Sequence, residues 1–240
     1  MTTTLTRKER EKQAREAKIL ELSRQMLGEV GYLGLSMDRI AAEMEYSKGT
    51  IYQHFCNKEE IILALANEAL ETRMQMFEKA STWPGNSRER MAAVGAAAEE
   101  FVEQYPLHFA VEQIVRSSSI WEKTSQERRD FMQACEGRCM QIVSGIVRDG
   151  LAHGDLELPV DRTPEDLVFG LWSLNFGAYT ILTSSDTLSE NGIADPVAAL
   201  RHNQNQMLDG YGWRPLGKDF DYKSHMDRIR SEVFPDEQSN

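Results

Sequence analysis

The chain has 240 residues, of which 41% are apolar and 27% are charged, enough for one large hydrophobic core or two small ones. This composition excludes a disordered tail protein. The longest nearly apolar stretch, 170–182, is interrupted by Asn175 and is shorter than the roughly 20 residues that a bilayer span needs. Residues 1–15 contain no apolar segment like that of a secretory signal, so we expect a cytoplasmic protein without a membrane span.

The cysteines argue against a disulfide scaffold and against a structural zinc site. Cys56, Cys135 and Cys139 are odd in number and form no CxxC pair, so we expect reduced thiols and neither a metal nor another cofactor. Cys135 and Cys139 lie four residues apart in an apolar helical stripe, where cysteines are usually inert. The pattern therefore favours core packing over a thiol sensor.

The net charge of −11 is unevenly distributed. Residues 1–60 hold ten basic and ten acidic residues, so the whole acidic excess lies after residue 60. Within the first 18 residues, six are basic and three are acidic. The sequence predicts a basic arm at 1–12, a neutral small domain and then a large acidic domain.

Apolar residues recur with the helical period from the first segment onward, and no strand-like alternation occurs. A first amphipathic helix is predicted at 12–31. Ser36 then begins a helix of about two turns, and Ser47 begins a third at 48–55 whose inward residues are Ile51 and Phe55. Asn57 begins a fourth helix that runs to about residue 79.

Five more helical segments follow, at roughly 88–103, 106–118, 125–152, 164–184 and 196–209. The segment 125–152 carries an apolar stripe of Phe131, Cys135, Cys139, Ile142 and Ile146. The segment 164–184 is apolar nearly all round, so it must be covered on more than one side, and a self-complementary subunit interface would do this. A short amphipathic helix with Tyr222, Met226, Ile229 and Val233 on one face is expected to dock near the C-terminus. The predicted fold is all-α.

The buried residues of the third helix determine which of its residues face outward. With Ile51 and Phe55 inward, Gly49 and Gln53 fall on the opposite face and Thr50 and Tyr52 flank them. An amide, a hydroxyl, a phenol and a glycine suit the major groove of DNA. From spacing alone, a pair of short structural helices remains the alternative.

The stretch 36–60, SMDRIAAEMEYSKGTIYQHFCNKEE, closely resembles the N-terminal domain of TetR-family transcription regulators in order and spacing. The resemblance covers about residues 13–73 and is weaker beyond 75. It implies all-helical homodimers whose helix-turn-helix binds operator DNA and whose C-terminal domain binds a small molecule. One departure is Glu45, where the family often has a glycine. A non-glycine residue takes the left-handed turn conformation there at a cost of roughly 1 kcal/mol.

The resemblance also assigns the DNA contacts residue by residue. The recognition helix begins at Ser47. Its residues Lys48, Gly49, Thr50 and Gln53 would face the bases, and Ser36, Tyr52, His54 and Lys58 would meet phosphates. Free backbone N–H groups near Ser36 and Asn57 would assist.

We expect four regions: the basic arm at 1–12, a helix-turn-helix domain at 13–73 with its motif at 36–55, an effector and dimerisation domain at 74–210, and a C-terminal extension at 211–240. Polar or aromatic residues on apolar helices are the candidates for the effector site: Phe101, Tyr105, His108, Phe109, Glu112, Arg116, Trp121, Asn175 and Tyr179. Purely structural roles for these residues remain open. These are a solvated face for His108, Glu112 and Arg116, a register-fixing contact at a dimer seam for Asn175 and Tyr179, and core packing for the aromatic residues.

Catalytic motifs such as GxSxG, HExxH, a P-loop and GxGxxG are absent, and the five histidines are scattered, so we do not expect an enzyme. The sequence favours a ligand-responsive repressor that binds a pseudo-palindromic operator as a homodimer. The fourth helix, which joins the two domains, would transmit the effector signal. The alternative is a DNA-binding regulator controlled by a protein partner through its acidic C-terminal domain.

Overall fold

The computed structural model describes residues 6–116 and 118–234. These residues form eleven helices and no strand, which confirms the predicted all-α fold. The short helix at 118–121 was not predicted separately. The helices are α1 (Arg7–Gly34), α2 (Met37–Glu43), α3 (Lys48–Tyr52), α4 (Lys58–Ser81), α5 (Ser87–Gln104), α6 (Pro106–Val115), α7 (Ser118–Trp121), α8 (Gln126–His153), α9 (Pro164–Ser184), α10 (Pro196–Gly210) and α11 (Tyr222–Val233).

The chain divides into two compact units. The first contains the residues up to Glu71 together with Tyr105–Cys135, and the second contains Thr72–Gln104 and the residues from Glu136 onward. The predicted domain boundary at residue 73 lies close to the end of the first segment. The sequence predicts that 105–135 belongs to the C-terminal domain, but this segment packs with the N-terminal helices.

The first helix begins earlier than its apolar pattern suggests. Thr6 and Glu9 form a capping box, in which the Glu9 N–H donates to Thr6 Oγ1 and the Thr6 N–H donates to Glu9 Oε2. Residues 7–12 are therefore the first turns of α1 rather than a separate arm, and residues 1–5 of the predicted arm lie outside the described residues. Gly31, at φ +66°, interrupts α1 near the predicted end.

The first unit has its own apolar core, built from α1–α4, α6, α7 and the start of α8. Ile19 of α1, Ile40 of α2 and Ile51 of α3 are all fully buried in it. Val111, Ile120 and Met132 extend the same core from the later segment. The helices that carry the DNA-binding candidates therefore depend on residues far along the chain for their packing.

The start of α4 is tied to the residues around the start of α8. Asn57 caps α4, since its side-chain oxygen accepts from the Glu60 N–H at 2.8 Å. The Glu60 carboxylate does not complete a capping box. It accepts from Arg128 Nε at 2.8 Å and from the Ser125 N–H instead. Arg128 also places its guanidinium 5.1 Å from the ring centroid of Phe55.

In the second unit, α11 docks on α5 with the predicted face. Tyr222, Met226, Ile229 and Val233 are all buried. Around them, Arg230 Nε donates to Glu100 at 2.7 Å. The side chain of Arg88, 1% exposed, donates to Asn205 Oδ1 at 3.0 Å and lies over the ring of Tyr222. The last six residues of the predicted extension lie outside the described part of the chain.

One predicted apolar face differs from the structure, and another is only partly covered by the chain itself. Phe131 is 46% exposed and does not belong to the buried face of α8, which runs through Met132, Cys135, Cys139 and Val143. Cys135, Cys139 and Ile146 are buried as predicted, whereas Met132 and Val143 take the buried positions that were expected for Phe131 and Ile142. On α9, only Leu167, Val168 and Tyr179 are buried. The protomer therefore does not cover this helix on several sides.

The exposure of α9 raises the question of a membrane. In residues 6–116 and 118–234, α9 is the one helix long and apolar enough to cross a bilayer, judged by length and composition alone. Core helices pass the same test, so one such helix is weak support for a span. Its first turn also carries Glu165 and Asp166.

Candidate nucleic-acid interface

The outward face of α3 presents the residues that the helical wheel places there. Ile51 is fully buried and Phe55 is 2% exposed, which fixes the rotation of this short helix. Gly49 and Gln53 are exposed, and Tyr52 is 49% exposed. The helix ends at Tyr52 rather than at Phe55, with Gln53 as its C-cap in helical geometry, so the predicted facing of Gln53 is retained.

Gly49 has no structural need to be glycine. A methyl group at this position would meet only Ser47 Oγ, at 3.8 Å, and its φ lies outside the left-handed region. Alanine in a helix is favoured over glycine by up to about 1 kcal/mol. Since neither space nor backbone conformation requires glycine, its bare backbone leaves room for a ligand to approach the outside of α3.

The turn between α2 and α3 contains the unusual residue that the sequence comparison singled out. Glu45 has φ +54°, the left-handed conformation that favours glycine. The turn keeps the expected path, because the Tyr46 N–H donates to the Ala41 carbonyl at 2.9 Å. This chain therefore retains the helix-turn-helix shape with a strained residue at its corner.

Ser36 and Ser47 act as caps. The Arg39 N–H donates to Ser36 Oγ at 3.2 Å, and the Thr50 N–H donates to Ser47 Oγ at 3.1 Å. The hydroxyls of Ser47 and Thr50 are also 2.9 Å apart. Both serines are exposed, so a DNA phosphate could still reach them.

Lys48 has a partner that sequence reasoning missed. Its Nζ donates to Asp38 Oδ2 at 2.6 Å, which joins the start of α3 to the first turn of α2. This hydrogen bond and the Asp38 charge raise the pKa of Lys48. Both side chains are exposed, so Lys48 must exchange one anionic partner for another to contact DNA.

Two of the residues predicted to contact phosphates already contact other groups of the protein. The His54 side chain is only 5% exposed, and its Nδ1 lies 3.3 Å from Glu16 Oε1 of α1. Lys58 Nζ lies 3.3 Å from the Tyr32 carbonyl, to which it donates, and 4.2 Å from the centroid of the Tyr32 ring. His54 therefore joins α3 to α1, and Lys58 holds the end of α1. No pattern in the sequence revealed these partners, because each pair is more than 20 residues apart.

The effector candidates fall into both compact units. In the first unit, Tyr105 and His108 have ring centroids 5.2 Å apart, and burial and the charge of Arg24 lower the pKa of His108. Glu112 is fully buried while Arg116 is exposed, so His108, Glu112 and Arg116 do not share a solvated face. Phe109 is 3% exposed and Trp121 packs against the core of this unit.

In the second unit, Phe101 is 1% exposed and the guanidinium of Arg73 lies 5.8 Å from its ring centroid. Tyr179 is 5% exposed, and burial together with Glu99 raises its pKa. The side-chain oxygen of Asn175 is buried and accepts no hydrogen bond from any described residue. None of the nine effector candidates lines the open hollow of about 560 Å³ between Asn86, Asp155 and the segment 214–219.

The described residues hold no cluster of three or more His, Cys, Asp or Glu side chains able to bind a metal ion. The one exposed cysteine of the three is Cys56, and both thiols of the α8 pair are buried. The outward face of α3 offers hydrogen-bonding groups from Thr50, Tyr52 and Gln53.

Comparison with known proteins decides what this surface is. Residues 19–65 match the family model of bacterial regulatory proteins of the tetR family. Residues 19–65 therefore form a helix-turn-helix of the tetR type. The matched range includes α2, α3 and the turn that contains Glu45, so the TetR helix-turn-helix is the interface described above.

Two relatives and one solved structure are also similar to this chain. The fatty acid metabolism regulator protein of Bacillus subtilis is 22% identical over 75% of this chain and 95% of its own length. The HTH-type transcriptional repressor AcnR of Corynebacterium diphtheriae is 41% identical over 54 residues, 22% of this chain and 28% of AcnR. A tetR-family regulatory protein of Rhodococcus RHA1 has the same fold, with a TM-score of 0.60 and 18% identity over 82% of this chain and 96% of its own. These relatives are regulators rather than enzymes.

The strain at Glu45 can be released. We expect Glu45→Gly to raise the free energy of unfolding by about 0.5–1 kcal/mol, because glycine adopts φ +54° without the steric cost. Glu45→Ala is the matched control, since it removes the same carboxylate but keeps the Cβ atom. Urea denaturation measures both. An equal gain in the two variants would mean that charge, and not backbone strain, limits stability at this turn.

Proposed function

We propose that this protein is a transcriptional repressor that binds a pseudo-palindromic operator as a homodimer and is released from it by a small molecule. The observation that carries the DNA-binding part is the exposed face of α3. Gln53 can pair bidentately with adenine, Thr50 offers a hydroxyl and a methyl, and Gly49 lets the backbone approach. Lys48 and Tyr52 flank these residues, and Ser36 lies at the exposed cap of α2.

The phosphate contacts proposed from the sequence need revision for His54 and Lys58. The His54 ring is held by Glu16, and the Lys58 ammonium by carbonyls at the end of α1. We propose that His54 acts indirectly, by fixing the end of α3 against α1. Lys58 is half-buried, so its charge can act on a nearby phosphate while it keeps its contact with Tyr32.

Substitutions on the outward face of α3 should change the recognition of DNA bases without unfolding the protein. We expect Gln53→Ala to relax the preference at one base position of sequences selected from random DNA, and Gly49→Ala to weaken binding while it leaves the protein at least as stable. Gln25→Ala, another exposed glutamine, is the control. If Gln53→Ala selects the same motif as the unchanged protein, direct readout by Gln53 is refuted.

Dimerisation is proposed from α9. Phe169 is 59% exposed, Ile181 is 54% exposed and Trp172 is 36% exposed, so one helix leaves several large apolar side chains uncovered by its own protomer. A second copy of the chain would cover this surface with the same surface, as a two-fold interface requires. Two recognition helices about 34–36 Å apart could then enter successive major grooves.

If α9 forms the dimer interface, one charged side chain introduced on it should disrupt the dimer. We expect Phe169→Glu to convert the dimer to monomer in analytical ultracentrifugation, because two carboxylates would be buried across the two-fold axis. Val160→Glu introduces the same charge at another exposed apolar position, between α8 and α9, and should leave the dimer intact. Loss of the dimer in both variants, or in neither, would place the interface elsewhere.

Control by a small molecule is supported by the Asn175 side-chain oxygen, since buried acceptors in native proteins nearly always have a donor. An effector with a hydroxyl or N–H group would supply one, and a polar contact with a second copy is the competing explanation. An effector releases DNA only if it binds the non-operator conformation more tightly.

The two modes of control predict different results with cell extract. We expect the low-molecular-mass filtrate of an extract to release the purified protein from its operator in fluorescence anisotropy. Asn175→Leu should bind the operator normally but respond less to the filtrate. Release by the macromolecular fraction alone would instead favour a protein partner that docks on the acidic C-terminal domain.

A further inference from the structure

The N-terminal end of α1 extends beyond the core of the first unit. Every residue from Arg7 to Arg15 is exposed, and the first fully buried side chain is that of Ile19. At about 1.5 Å per residue, this overhang is roughly 13 Å long. It is a defined helix and not a loose tail, because the capping box of Thr6 and Glu9 begins it.

Three cations of the overhang form a stripe. At about 100° per residue, Lys8, Lys12 and Arg15 fall within an arc of about 60°. The centre of this arc lies about 50° from the centre of the buried face of α1, which is formed further along the helix by Ile19, Leu20, Ser23, Met26 and Leu27. The stripe therefore lies along the side of α1 that faces the rest of the unit, and continues beyond its edge.

The stripe begins next to the recognition helix. Glu16, the residue after Arg15, lies 3.3 Å from His54 Nδ1 at the end of α3. Lys12 Nζ is 3.7 Å from the same Glu16 oxygen, one helical turn further out. Because His54 follows Gln53 directly, the overhang passes close to the residues proposed to read bases.

The arrangement of charges favours an anionic ligand. Lys8 and Lys12 are four residues apart and Lys12 and Arg15 are three apart, spacings at which like charges destabilise a helix. Among the described residues, Lys8 and Arg15 form no ion pair. A polyanion beside α3 would remove this repulsion and release its own counterions on binding.

We propose that Lys8, Lys12 and Arg15 bind backbone phosphates of the DNA duplex beside the bases that α3 contacts. This inference rests on the proposed DNA-binding function and adds a second phosphate-binding element to it. From Lys8 to Arg15 the helix rises about 10 Å, which matches about three base-pair steps of 3.4 Å. The contact positions the domain and carries no base preference.

The test compares two triple variants with the full-length protein on DNA selected by the protein from a random pool. In the stripe variant, Lys8→Gln, Lys12→Gln and Arg15→Gln, the slope of log affinity against log salt should fall by about 2.7. This slope difference corresponds to about 40-fold between 50 and 200 mM salt. The selected motif should stay the same.

The control variant changes Arg7→Gln, Arg10→Gln and Lys18→Gln. It removes the same charge from the same stretch, but these residues lie about 120° around the helix from the stripe. Its slope should fall by less than about 1. Glutamine is nearly as good a helix former as lysine or arginine, and thermal unfolding followed by circular dichroism verifies that both variants fold.

The outcomes are distinguishable. If both variants keep the salt slope of the unchanged protein, or if both lose the same amount, the proposed phosphate contact of the stripe is wrong. This holds when the unchanged protein still binds its selected DNA specifically. If the unchanged protein selects no sequence and binds scrambled DNA equally well, the proposed function fails, and the stripe proposal fails with it. A large loss confined to the stripe variant supports the phosphate contact.

Discussion

The packing of Ile51 and Phe55 into the core of the first unit is the constraint on which the rest of the DNA-binding surface depends. A helix of five residues has too few hydrogen bonds to be stable alone, so tertiary contacts must hold it. Two buried side chains on one face leave Gly49, Tyr52 and Gln53 outward. The outward residues of α3 can contact DNA only because these two buried side chains fix the rotation of the helix.

The anchor itself is supported from three directions. His54 joins the end of α3 to Glu16 of α1, and the Lys48–Asp38 pair joins its start to α2. Arg128 lies over the ring of Phe55 and also binds Glu60 at the start of α4. The last contact comes from α8, so a shift of the first turn of α8 acts directly on the anchor of α3.

The local features were predictable from the sequence and the distant pairings were not. Caps at Ser36 and Ser47, the buried Ile51 and the docked face of α11 follow from period and capping chemistry, which involve neighbours within a few turns. The contact of His54 with Glu16, the ion pair of Lys48 with Asp38 and the inclusion of 105–135 in the first unit depend on residues distant in the chain. The start of α1 was missed because its first turns have no apolar stripe. The capping box of Thr6 and Glu9 was the signal that could have found it.

The most direct test of the account is fluorescence anisotropy of the purified protein on the DNA upstream of its own gene and on a scrambled duplex, at two salt concentrations. The account predicts saturable binding of two protomers, at least about 10³-fold tighter than to the scramble. If neither this DNA nor a sequence selected from a random pool is bound more tightly than the scramble, the exposed face of α3 does not read bases. That result would contradict the central claim.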